Sequence, residues 1–160
     1  MIVLKQIISG GQTGADIGGL MAAEELKLKT GGWIPRNFKN ELGDGQFWLR
    51  KYDLREHKDA TYPPRTKQNI LDSDGTVIFA TIPLETGSKF TWDCAQHIHK
   101  PNMVINTFNI HDDITRDFLI WLEVNKIVIL NVAGNRESKS PGIQLRVKNF
   151  LVNTLVNKLI

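Results

Sequence analysis

The stretch Ser9-Gly10-Gly11-Gln12-Thr13-Gly14-Ala15-Asp16 constrains the fold more than any other part of the chain. An apolar run, Leu4 to Ile8, precedes it and reads as a buried strand, while Ile17, Leu20 and Met21 follow at helical spacing. The chain therefore passes from strand to helix through a turn with three glycines in five positions. Without Cβ atoms, such a backbone can approach a ligand closely. The first amides of a helix have no intrahelical partner and lie at its positive end, so they suit a phosphate or another oxyanion. Gln12 and Thr13 add side-chain donors. The competing reading is a plain strand-to-helix turn whose glycines serve geometry alone.

The rest of the chain repeats the alternation. The first helix is expected from about Gly14 to Leu28, stopped by Gly31-Gly32, with Trp33-Ile34 as a short strand. Residues 36 to about 62 are polar and irregular, as in a lid or binding loop, pinned by Trp48, Leu49, Tyr52 and Leu54. Pro63-Pro64 opens a helix to Asp72 on which Arg65 and Asn69 share a face, with Thr66 beside them. Thr76 to Ala80 is a continuous, nearly all apolar run, as in a strand buried on both faces; Thr86 to His99 reads as a helix and Met103 to Ile105 as a strand. A helix capped by Asp112 or Asp113 presents Ile114, Phe118, Trp121 and Leu122; the strand Ile127 to Val132 follows. Ser140-Pro141 reads as the start of a closing helix with Ile143, Val147, Phe150, Leu151 and Leu155 inside.

Apolar strands separated by helices predict an α/β, Rossmann-like, doubly wound fold: a mostly parallel five-stranded sheet with helices on both faces. With 160 residues, the expectation is one ligand-binding domain spanning residues 1–160. Such folds bind ligands beyond the carboxyl ends of the strands. Three polar segments fall there: Gly10 to Asp16, Thr86-Gly87-Ser88-Lys89-Phe90-Thr91, and Asn131 to Lys139 with Gly134, Arg136 and Ser138. Free amides, hydroxyls, Lys89 and the fork of Arg136 suit a small anionic ligand. Capping by Thr86 or Ser88, and a solvated third loop, are the competing readings.

No nucleophile elbow and no nucleotide phosphate loop occurs. Cys94 and His97 lie one helical turn apart but do not make a zinc site. Asp16 is the carboxylate nearest the first turn and can act as a base, bind a ligand, or simply favour the helix dipole. A formal charge of +3 with scattered Lys and Arg argues against a nucleic-acid partner. One cysteine, no leader pattern and no run of membrane-spanning length lead to the expectation of a cytoplasmic protein without a membrane partner.

Taken in order, Ile7 to Asp16, Gly31 to Pro35, Arg65-Thr66 with Asn69, Asp72 to Thr76, and Asn131 to Gly134 with Arg136 and Ser138 resemble the molybdenum cofactor carrier proteins. These are relatives of the lysine-decarboxylase-like LOG proteins and of the DNA-processing protein DprA. The resemblance runs from about Lys5 to Phe150. It implies a homo-oligomer, dimer or tetramer, that binds, protects and delivers molybdenum cofactor (molybdopterin) or molybdate, with molybdoenzymes as recipients. It also implies a binding protein with no catalytic residues and no protein metal ligands. The pterin would suit Asn and Asp side chains and an aromatic wall such as Trp33; the oxyanion would suit Arg136 and Lys89. Nucleotide-cleaving relatives carry a glutamate where this chain has Thr91, which disfavours their chemistry. The alternative is a nucleotide sensor, or a hydrolase of nucleotides or ADP-ribose, using the same rim. DNA binding by analogy with DprA is weaker, since no basic stripe is visible.

Overall fold

The computed structural model describes residues 1–160. In chain order the elements are β1 (Gln6–Ile8), α1 (Ala15–Glu25), β2 (Lys29–Gly31), β3 (Trp33–Ile34), a 3-10 turn at Arg36–Phe38, α2 (Gly45–Lys51), β4 (Arg55–Glu56) and α3 (Tyr62–Asp72). They continue with β5 (Gly75–Phe79), α4 (Thr86–Ile98), β6 (Asn102–Ile105), α5 (Asp112–Val124), β7 (Ile129–Gly134) and α6 (Ile143–Leu155). Five strands form one sheet in the order β2-β1-β7-β5-β6, and every pair is parallel. This is the Rossmann-like α/β fold that the alternation predicts. All of β5 is buried, as its unbroken apolar run requires of a strand covered on both faces.

Helices seal the sheet with apolar stripes. Phe118 and Leu122 of α5 and Val147, Phe150 and Leu151 of α6 join Ile7, Val77, Phe79, Leu130 and Val132 of the strands in one core cluster. Helix α1 carries Gly18 and Gly19, which weaken a helix, because its neighbours leave no room for a Cβ. One on Gly18 would lie 2.4 Å from the Gln144 carbonyl, and one on Gly19 2.7 Å from Val132 Cβ.

The strand order has a consequence for the site. If β7 and α6 are counted as the first unit, followed by β1, β2, β5 and β6, the sheet reads 3-2-1-4-5, the order of a dinucleotide-type doubly wound sheet. The unit that opens such a sheet closes this chain. The two termini accordingly meet: Ile2 bridges Leu159, and Lys5 Nζ donates to the Ile160 carbonyl at 2.6 Å. Strand order reverses between β7 and β5, which places the binding rim over those two strands.

Several expected boundaries shift. The edge strand beside β1 is β2, which ends on the first glycine of the pair, while Trp33–Ile34 pairs with β4 in a separate ribbon. The break falls at Gly32, whose φ of 121° lets the chain pass the Ser9 carbonyl where a Cβ would be only 2.0 Å away. Residues 36–62, expected to be irregular, contain α2 and β4, because Tyr52 and Leu54 bury against Ile17 and Leu20. Helix α6 starts at Ile143 rather than at Pro141. Its entry residue, Gly142, has φ 87°, and Glu137 accepts from the Gly142 and Gln144 amides, so Ser140 is not the cap. At α5 the cap position is His111, with Asp112 and Asp113 in the first turn.

Candidate functional site

The cavity of about 340 Å³ lies at the rim that the strand reversal selects. Four parts of the chain line it. The β1–α1 turn contributes Gly10, Gln12 and Asp16; α3 contributes Arg65, Thr66 and Asn69. The start of α4 contributes Thr86, Gly87 and Thr91, and the end of β7 with its loop contributes Asn131, Gly134 and Arg136. The three polar connections expected at one mouth are therefore together. Tyr62, Pro63, Phe90, Val132 and Ala133 also line the cavity and are not among the expected ligand contacts. Their segments stand out in the sequence, but only packing shows that these side chains wall the space.

Arg65 dominates the interior. It is 9% exposed, and its Nη1 lies 3.8 Å from Asp16 Oδ2, beyond hydrogen-bond length. Its Nε is buried and has no acceptor in the chain. Burying a guanidinium without satisfying its donors is costly. Gly10 makes this position possible: a Cβ there would lie 1.8 Å from Arg65 Nη1. Arg136 joins it, its Cζ 4.9 Å from the Tyr62 ring centroid and Arg65 Cζ 5.4 Å from the same centroid. Burial pushes the Asp16 carboxyl above its ordinary value, against the opposing pull of Arg65 and of the Gln12 and Gly10 N–H groups. Burial likewise pulls Arg65 down, opposed by Asp16; a guanidinium stays charged nonetheless.

The Gly-rich turn departs from expectation in one respect. Four of its amides are not free for an anion, because the chain's own acceptors fold back onto them. Gln12 N donates to Asp16 Oδ2 at 3.2 Å, Thr13 N to Gln12 Oε1 at 3.1 Å, Gly14 N to Gln144 Oε1 at 3.3 Å and Ala15 N to the Asn135 carbonyl at 3.1 Å. Two further amides without an acceptor are at the start of α4. There Ser88 N and Lys89 N bond to the Glu85 carbonyl, while Thr86 N and Gly87 N have no acceptor in the chain. They sit at the positive end of a thirteen-residue helix.

Seven of the expected residues lie outside the cavity lining. Gly11 faces Ile34 and Leu54, and Gly14 presses on the backbone of Asn135 to Glu137. Thr13 and Ser138 both donate to the Glu41 carboxylate, which ties the 36–44 segment to two rim loops. Burial pushes Glu41 up, but the bonds from Ser138 and Thr13 outweigh it and hold its carboxyl below the ordinary value. Ser88 Oγ donates to Asn135 Oδ1, and Lys89 Nζ pairs with Asp93 at 2.8 Å, facing solvent. Trp33 lies in a different crevice, its Nε1 donating to Asp72 Oδ2 at 2.8 Å. The aromatic wall of the cavity is Tyr62 and Phe90 instead.

Two lining residues are already engaged. Asn69 accepts from Trp33 N at 2.8 Å and donates to the Trp33 carbonyl at 3.1 Å, clamping α3 to β3. Thr91 Oγ1 donates to the Gly87 carbonyl at 2.9 Å, so it stabilises the first turn of α4.

Residues 7–155 match the family described as circularly permuted YpsA SLOG. The chain belongs to this family. The strand order of the sheet agrees with a permuted chain. A crystal structure from Syntrophus aciditrophicus SB, described as "Putative molybdenum carrier protein", is similar over 96% of each chain, with 35% identity and a TM-score of 0.90. No curated protein matches the chain.

Proposed function

We propose that this SLOG protein is a carrier that binds molybdenum cofactor or molybdate in the β7/β5 cavity, without chemistry, for delivery to molybdoenzymes in the cytoplasm. The observation that carries the reading is Arg65: a buried guanidinium that faces a cavity and has no hydrogen-bond acceptor in the chain. A ligand oxygen supplies such an acceptor. Arg136 and the Thr86 and Gly87 amides lie on the same cavity and suit the oxyanion of such a ligand. No group of three or more His, Cys, Asp or Glu residues converges in the structure. The side chains thus fit the oxygen shell of a phosphate or molybdate rather than a bare metal ion. The Syntrophus relative's description agrees with this reading. No helix is long and apolar enough to cross a membrane.

Calorimetry with isolated molybdenum cofactor and with molybdate tests the proposal. Micromolar binding is expected, and Arg136→Ala should weaken it about 10- to 100-fold by removing a charge-assisted contact of about 1.5–3 kcal/mol. Absence of binding for both ligands would remove the reading. A second reading, nucleotide sensing or hydrolysis at the same rim, is favoured by Asp16, the one carboxylate that lines the cavity, whose pKa burial raises. Release of base or ribose phosphate from nucleoside monophosphates or ADP-ribose, read by chromatography, would replace the carrier with this enzyme.

A further inference from the structure

Two chemically different groups of residues line the cavity. Arg136 and the Thr86 and Gly87 amides, from the β7 loop and the start of α4, offer donors only. Gln12 and Arg65, from the β1–α1 turn and α3, flank Asp16, with Gln12 N 3.2 Å and Arg65 Nη1 3.8 Å from its Oδ2. Only the second group combines donors with an acceptor.

Gln12 settles its own orientation. Its Oε1 accepts from Thr13 N at 3.1 Å and from Glu41 N at 2.8 Å. Turning the amide over would set its NH2 against two N–H groups, so the assignment is fixed by chemistry. Its Nε2 is then left buried with no partner, like Arg65 Nε. Gln12 is 5% exposed and Arg65 9%, and both line the cavity. Unpartnered buried donors of this kind are uncommon and call for a ligand acceptor. A full oxyanion is a poor choice here, because it would sit against the Asp16 carboxylate. A neutral carbonyl oxygen flanked by N–H groups satisfies all three side chains: the oxygen takes the Gln12 and Arg65 donors, and the N–H groups face Asp16. Tyr62 and Phe90 on the same cavity provide aromatic surface for a flat ring.

We infer that Gln12, Arg65 and Asp16 recognise the amino-oxo-pyrimidine edge shared by pterins and guanine, while Arg136 and the α4 amides hold the ligand's anionic group. This rests on the ligand-binding reading of the cavity and assigns its two groups of donors.

The test is calorimetry on the full chain with two pairs of probes and molybdate. A pterin is compared with the diaminopteridine carrying the same substituent, and guanosine monophosphate with adenosine monophosphate. In each second member an amino group replaces the carbonyl and points donor at donor. At least one oxo probe should bind about tenfold or more tighter than its amino counterpart. A preference for the pterin over guanosine monophosphate identifies a pterin as the source of the edge; the reverse identifies a guanine nucleotide. In Asp16→Asn the new carbonyl is held by Gln12 N, so the new NH2 faces the ligand N–H groups. The oxo preference should then fall to about threefold or less. Equal or tighter binding of the amino probes to the wild-type chain overturns the inference, whatever the variant does. Molybdate binding with no binding of any heterocycle also overturns it but leaves the anion-carrier reading standing. If nothing binds, molybdate included, both fall.

Discussion

Gly10→Ala isolates the contact on which the site depends. A Cβ at that position would lie 1.8 Å from Arg65 Nη1, 2.4 Å from its Cζ and 2.9 Å from Asp16 Oδ2. Gly10 is outside the left-handed region, so alanine adds no backbone strain and its effect passes through Arg65. Restoring a normal contact of about 3.5 Å moves the guanidinium by roughly 1.7 Å. A shift of that size removes a guanidinium-to-ligand hydrogen bond worth about 1.5–3 kcal/mol, which raises Kd about 10- to 100-fold. The fold should lose less. Arg65 swings into the cavity rather than disappearing, and Asp16 keeps the Gln12 N–H. About 1 kcal/mol is expected, a fall in Tm of about 2–4 °C for a chain of this size. Titration calorimetry with isolated molybdenum cofactor and scanning calorimetry on the same preparations measure both quantities. Wild-type affinity in a folded Gly10→Ala protein would show that Arg65 does not hold the ligand. A Tm loss of about 10 °C or more would show that the Arg65–Asp16 contact serves the fold first.

Other perturbations bear on the supporting parts. Gly87→Ala, where nothing lies within 4 Å of the new Cβ, should change stability by no more than about 0.5 kcal/mol in denaturant titration. Glu137→Ala removes the acceptor for the Gly142 and Gln144 amides and should cost about 1 kcal/mol, seen as a Tm lower by about 2–4 °C. Gly18→Ala gains helix propensity but overlaps the Gln144 carbonyl, so a net loss of about 1–3 kcal/mol is expected, and a more stable variant would contradict the packing. Glu41 has a folded pKa below its ordinary 4.5. Its contribution is therefore present above pH 4.5 and lost as pH falls through the lower folded value. Against Glu41→Gln, the stability gap should be open at neutral pH and close in acid; a gap that widens in acid would reverse the sign.

Local chemistry wrote much of this protein into its sequence. Thr76 to Phe79 had to be a strand covered on both faces, because the run is unbroken and nearly all apolar. The inner face of α6 was legible because Ile143, Val147, Phe150, Leu151 and Leu155 repeat at the helical period, and all five are buried. The polar connections after the strands marked the rim, because a parallel sheet brings those ends to one side. What the sequence left open depends on pairing between distant segments. It carries no local sign that the last strand lies between β1 and β5, since strand order is set by which apolar edges meet after the helices dock. That order brings the free amides of α4 to the site, while Asp16, Gln12, Gln144 and Asn135 satisfy four amides of the Gly-rich turn. Motif spacing reveals a donor but not the acceptor that reaches it from more than a hundred residues away. Likewise Arg65 reads as one polar residue on a helix face, and only the approach of Gly10 turns it into a buried charge in need of a partner.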